Sequence, residues 1–153
     1  MTDRETTSAV PLVVLAVVVL GLMGYLGWRV YDRPVDEHSA SRVAVRATDV
    51  LVRAGGGDPT LCTAMREVSA PDAADASVQR CEEVASRAIA GVGRLGPQGL
   101  QATDVDVGRH SGSVTVSGTL QTGGPTFPLR VTWPVERVDD AWTVSGAPDV
   151  QIG

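Results

Sequence analysis

FPLRVTWPVERVDDAWTV, Phe127–Val144, carries the alternation on which the sheet is built. Phe127, Leu129, Val131, Trp133 and Val135 alternate with Pro128, Arg130, Thr132, Pro134 and Glu136, which is the period of a half-buried strand. Asp139-Asp140 predicts a tight turn into a final strand carrying Trp142 and Val144. The hairpin holds Phe127, Trp133 and Trp142, the only aromatic residues beyond Tyr31. With Met65 and Leu129 they are the candidate core or pocket lining. Pro128 and Pro134 lie six residues apart, so their missing N–H groups face one side. That strand is therefore expected to be bulged, or at a sheet edge, for part of its length.

Upstream, Val114, Val116 and Leu120 alternate with Thr115, Ser117 and Thr119, between turns at Arg109–Gly112 and Gly123-Gly124-Pro125. Val105 and Val107 are out of phase with Leu100 and Ala102, which predicts a bulge near Thr103 and Asp104. Before these strands the period changes to helical. Ala40, Val43, Ala44, Ala47, Val50, Leu51 and Ala54 form one stripe, ended by Gly55-Gly56-Gly57. Arg42, Arg46, Asp49 and Arg53 lie on the other face, where the charges can pair locally. Asp58-Pro59 starts a short helix with Leu61, Ala64, Met65 and Val68 inward. Pro71-Asp72 starts a longer one with Ala74, Val78, Cys81, Ala85, Ala88, Ile89 and Val92 inward, closed by Gly93 and Gly96-Pro97. Three helices followed by a curved four-strand antiparallel meander define an α+β domain.

The N-terminal part is different. Ala9–Trp28 is uncharged and almost wholly apolar. Twenty helical residues at ~1.5 Å each match the ~30 Å hydrocarbon layer of a bilayer. Tyr25, Trp28 and Tyr31 are candidate membrane-interface residues, and Pro34 is expected to stop the helix. Asp3 and Glu5 beside Arg4, with no small-x-small site after the run, favour an uncleaved anchor over a signal peptide. The expected organisation is a cytoplasmic tail 1–8, a transmembrane helix 9–30, a linker 31–38 containing His38, and an extracytoplasmic domain 39–153. Arg29 and Arg33 alone favour the opposite orientation. Long domains translocate largely regardless of such charges, however, and two cysteines suit an oxidising compartment. Gly21, Gly24 and Gly27 are three apart rather than four, so they read as ordinary transmembrane glycines.

The thirteen cationic residues are all arginine, and asparagine is absent, a bias typical of a high-G+C bacterial coding sequence. From Asp36 onward ten arginines face fifteen carboxylates, a balance of −5 that argues against nucleic acid as a partner. The two cysteines, Cys62 and Cys81, fall in consecutive predicted helices joined by the turn Ser69–Asp72. An antiparallel pair of helices brings them within bridging distance, so a disulfide is expected; two buried free thiols are the alternative.

Gly57-Asp58 after a helix, Leu61-Cys62, a second cysteine in the next helix and a meander closing on Val138-Asp139-Asp140-Ala141-Trp142-Thr143-Val144 together resemble the nuclear-transport-factor-2-like (cystatin-like) superfamily. With the anchor, the chain is similar to single-pass actinobacterial envelope proteins of that class. These include Mce-associated membrane proteins and the bitopic assembly factors of conjugation and type IV secretion machines. The resemblance implies a cone-shaped domain. Enzymes of the superfamily place an acid, often with His or Tyr, inside the cone, and the inward strand phases here are wholly apolar. Asp104 and Asp106 lie opposite Val105 and Val107, and two carboxylates alone make a poor cation site. His110 and Ser111 are adjacent in a turn with no acid to complete a triad. No phosphate loop or cysteine–histidine metal spacing occurs. The expectation is a non-enzyme with no catalytic residues, metal or cofactor. It would be a membrane-anchored scaffold or interaction module of a bacterial envelope complex, with membrane lipid and other envelope membrane proteins as partners. The alternative is a binding protein holding a small apolar ligand or lipid in the cone.

Overall fold

The computed structural model describes residues 10–87 and 96–153, with side chains described for 14–27, 36–87 and 96–153. The chain divides after Val35, and the second unit, Asp36–Gly153, is the α+β domain. Helix α1 runs Val10–Gly55. A 3₁₀ segment, Pro59–Ala64, leads into the single turn α2, Met65–Val68, and then α3, Ala74–Ser86. Five strands follow: β1 Gly96–Val107, β2 Ser111–Gln121, β3 Thr126–Val138, β4 Ala141–Val144 and β5 Asp149–Ile152.

Pro34 does not end α1, and the expected linker 31–38 is helical. A proline removes one helical hydrogen bond, whereas a break needs a new and costly helix nucleus on its far side. Among the described residues no helix is long and apolar enough to cross a membrane. The described side chains of the apolar run are those of Val14–Gly27 only. Ala9 and the side chains of Trp28 and Tyr31 lie outside the described residues, as do Ala88, Ile89, Val92 and Gly93.

The domain's core lies between α1 and one face of an antiparallel sheet of order β1-β2-β3-β4, with β5 also on β3. Ala40, Ala44, Ala47 and Ala54 of α1 are fully buried, and so are Val114, Val116, Val131 and Val144 of the strands. Alanine has no bulk beyond Cβ, so the helix backbone can approach the sheet closely. The large side chain at this junction is Trp133, which is 1% exposed. Its Nε1–H donates to Oγ1 of Thr48 at 2.8 Å, and Thr48 in turn donates to the Ala44 carbonyl at 2.9 Å. The buried indole and hydroxyl are thereby both satisfied.

The expected bulge is present: the β1–β2 register shifts between Ala102 and Asp104, and again between Gln98 and Gln101. Gly112 is demanded by this pairing, since a Cβ there would lie 2.2 Å from the Asp106 carbonyl oxygen. The proline expectation resolves in an unforeseen way. β3 is central, and its outer neighbour is broken in two: β4 pairs with Val135–Val138 and β5 with Leu129–Thr132. Ser145 donates to the Pro134 carbonyl at 3.0 Å, but Pro134 has no N–H to return the bond. The ladder therefore stops there and restarts beyond Ser145-Gly146-Ala147-Pro148. The four-strand meander is as expected, and β5 adds a fifth strand to the sheet beside β3, off the meander.

The short helices depart from expectation in detail. Asp58 caps the first as predicted, its carboxylate accepting from the Thr60 N–H at 3.1 Å. That helix is 3₁₀, however, with three residues per turn; Cys62 is its buried residue and Leu61 turns outward, while Met65 and Val68 are buried in α2. Pro71 and Asp72 form a turn rather than the start of α3, whose buried face is Ala74, Cys81 and Ala85. Gly96 and Pro97 open β1 instead of closing a helix. α3 packs on α2 and the 3₁₀ segment. Cys62 and Cys81 form a disulfide across that contact with Cα atoms 5.5 Å apart. On the chain-entropy model a loop of this length contributes about 3 kcal/mol. The exposed ion pairs Arg46–Glu67 and Arg66–Asp75 add at most about 1 kcal/mol each.

Two outcomes follow for stability. Thr48→Val keeps the shape but strands the Trp133 indole N–H in the core. It should cost about 1–3 kcal/mol in thermal unfolding followed by near-UV circular dichroism, with Thr48→Ser recovering most of it. Asp139 and Asp140 both have positive φ, 48° and 63°, in the two-residue turn between β3 and β4. Glycine is at home at the second position of such a turn, and the Asp140–Arg137 ion pair lost with it is largely solvated. Asp140→Gly should therefore stabilise by about 0.5–1 kcal/mol in the same melts.

Candidate functional site

Of the candidate lining residues, Met65, Leu129, Trp133 and Trp142 are buried at 5% exposure or less. Phe127 is not: it is 40% exposed, although it shares the inward phase of β3. Phase fixes which face of a sheet a side chain points from, and not whether anything covers it there. Phe127 pairs with Leu120, while Val150 and Ile152 of β5 pair with Val131 and Leu129. All belong to the face that carries the core. Val150 and Ile152 are 45% and 56% exposed, so with Phe127 they form an apolar patch at the end of β3 and β5. β5 lies beyond the last strand expected from the sequence. Its signal was present, because Val150 and Ile152 alternate with Asp149 and Gln151 after Pro148.

A second surface is a groove of about 610 Å³ between α1 and β1. Val45 of α1 and Pro97, Leu100 and Ala102 of β1 line it apolarly, and His38, Arg42, Arg46 and Asp49 stand along the helix side. Local chemistry explains why it is open. β1 meets the helix with small or bulged residues, and Gly99 at φ +63° and the irregular pairing at Gln98–Gln101 shape its first half. Leu100 lies across Gly118, where a Cβ would come within 2.8 Å of its Cδ2. Arg46 pairs with Glu67, and Arg53 with Asp49 at 2.9 Å, the local pairing expected of this face. Among the described residues Arg42 has no carboxylate partner.

Asp36, placed by the sequence in a linker, ties the start of the domain to the β3–β4 hairpin. Its carboxylate accepts from Nη1 of Arg137 and Nε1 of Trp142, both at 3.3 Å. Asp104, Asp106 and His110 are exposed. The His110 carbonyl accepts the Arg137 backbone N–H at 2.8 Å, so that loop serves the sheet. Among the described residues no group of three or more His, Cys, Asp or Glu could hold a metal ion. Tyr25 is 48% exposed on α1. No family model, curated protein or solved structure matches the chain.

The buried and exposed aromatics should separate experimentally. Trp142→Ala should cost about 3–5 kcal/mol, as truncation of a buried large aromatic does, and Phe127→Ala no more than about 1. Comparable losses in chemical denaturation would place Phe127 in the core instead.

Proposed function

We propose that this chain is a single-pass, membrane-anchored interaction module of a bacterial envelope complex, with its domain outside the cytoplasm. The observation that carries the reading is the patch of Phe127, Val150 and Ile152, which continues the core face of the sheet into solvent. Exposed apolar groups gathered at one place mark an interaction site more often than scattered ones do. The anchor is supported by α1, where every residue of Val14–Gly27 is exposed, and Leu15, Leu20 and Met23 by more than 60% each. A helix apolar all round has no stable place in water, and lipid is the natural solvent for it. The Cys62–Cys81 bridge supports an oxidising compartment. A long helix against a bulged antiparallel meander is consistent with the nuclear-transport-factor-2-like class, which stays part of this proposal. The alternative of an apolar ligand within a cone has weaker support, because Trp133 and Trp142 are used to fill the core.

Photo-reactive residues placed at Phe127 and at Ile152 in native membranes test the reading, with Thr103 on the opposite sheet face as control. Adducts to an envelope membrane protein at the first two positions and not at Thr103 are expected. Equal capture at all three, or none at Phe127 and Ile152, would remove the patch as an interface.

A further inference from the structure

The groove between α1 and β1 is not part of the patch, and its chemistry differs. It joins an apolar floor to a cation. Val45, Leu100 and Ala102 are each only partly buried, although they pack against the core cluster, so the floor is apolar surface left open to solvent. The charges along the helix side do not balance. The Glu67 carboxylate neutralises Arg46 and Arg53 neutralises Asp49, which leaves the exposed Arg42 guanidinium without an ion-pair partner among the described residues, with His38 one helical turn before it. A volume of about 610 Å³ is of small-molecule size rather than that of a protein segment.

We infer that this groove binds an anionic amphiphile, with its acyl portion on Val45, Leu100 and Ala102 and its carboxylate or phosphate on Arg42. Charge complementarity selects the class. A purely apolar ligand would leave Arg42 unused, and a purely polar anion would leave the floor wet. Arginine suits the role because its planar fork meets a carboxylate or phosphate with two parallel N–H donors. His38 follows the end of the apolar run by ten residues, which makes a membrane the source of the amphiphile in this proposal. The inference is independent of the interface at Phe127 and Ile152, and neither stands or falls with the other.

The test uses the purified full chain in neutral detergent micelles, with two photo-reactive probes of one chain length: a diazirine-bearing dodecanoic acid and the corresponding alcohol. Labelled residues are mapped by mass spectrometry. Labelling at Val45, Leu100 or Ala102 is expected, stronger for the acid than for the alcohol by roughly fivefold, the yield of one charge-assisted contact. Arg42→Gln should remove that preference while leaving the far-ultraviolet spectrum unchanged, since Arg42 is exposed and makes no ion pair among the described residues. Arg130→Gln, on the other sheet face, should leave the preference intact. Equal labelling by acid and alcohol overturns the assignment to an anion. Labelling confined to Val14–Gly27 overturns the site altogether. Free dodecanoate and a dodecyl phosphate, added as competitors, distinguish the two head groups.

Discussion

The hydrogen bond from the Trp133 indole to Thr48 is the point at which the two layers of the domain are held in one relation. An alanine stripe makes a helix sticky towards a sheet without saying where along the sheet it should rest, because one alanine resembles the next. A tryptophan with a buried N–H does say where. The donor must meet an acceptor, and on the buried face of α1 that acceptor is Thr48, which is itself tied back to Ala44. Sliding the helix by one turn would strand the Trp133 N–H, while Thr48 kept its bond within the helix, at about 1–3 kcal/mol in a structure whose whole stability is of order ten. Asp36 repeats the device at the other end of the helical segment, where it receives the Trp142 indole and Arg137.

The second determinant is the pair of prolines in β3. A central strand normally excludes proline, since each residue must serve a neighbour on one side or the other. Here Pro134 and Pro128 turn their nitrogens to the same side, and the chain has adapted by leaving that side incompletely paired. β4 ends at Val144, one residue before the register that would need a donor from Pro134. Ser145 and Gly153 each give a single bond to a proline carbonyl. Gly146 then passes close to the Pro134 ring, 3.3 Å from where a Cβ would sit. The apolar patch at Val150 and Ile152 follows from the same break, because β5 is the fragment left over.

These features differ in how visible they were beforehand. The α+β class, the bulge near Thr103 and the cap at Asp58 rest on local periodicity and on residues a few positions apart, and the Cys62–Cys81 pairing on the short turn between two consecutive helices. Phe127 departs from expectation because alternation tells direction and not cover. Leu61 departs because its segment is 3₁₀ and not α-helical. Four residues such as those of β5 carry little periodic signal. The groove could not have been read at all. Its two walls are about fifty residues apart in sequence, and its shape depends on how β1 is bulged where it passes the helix. The exposed patch is intermediate, since the alternation of Val150 and Ile152 is present in the sequence but their exposure is not.

The broken outer strand also bears on how the domain behaves among copies of itself. A long, straight sheet edge offers a row of unsatisfied N–H and C=O groups on which another chain can crystallise as an added strand. On the β3 side that edge is divided between two strands of four residues each, separated by a loop, so no incoming segment finds a continuous template. On the β1 side the edge is twelve residues long, but two register shifts twist it and Asp104 and Asp106 project beside it. A residue type that normally weakens a sheet thus removes the continuous template for strand addition on that side, beside the exposed apolar patch at the sheet's end.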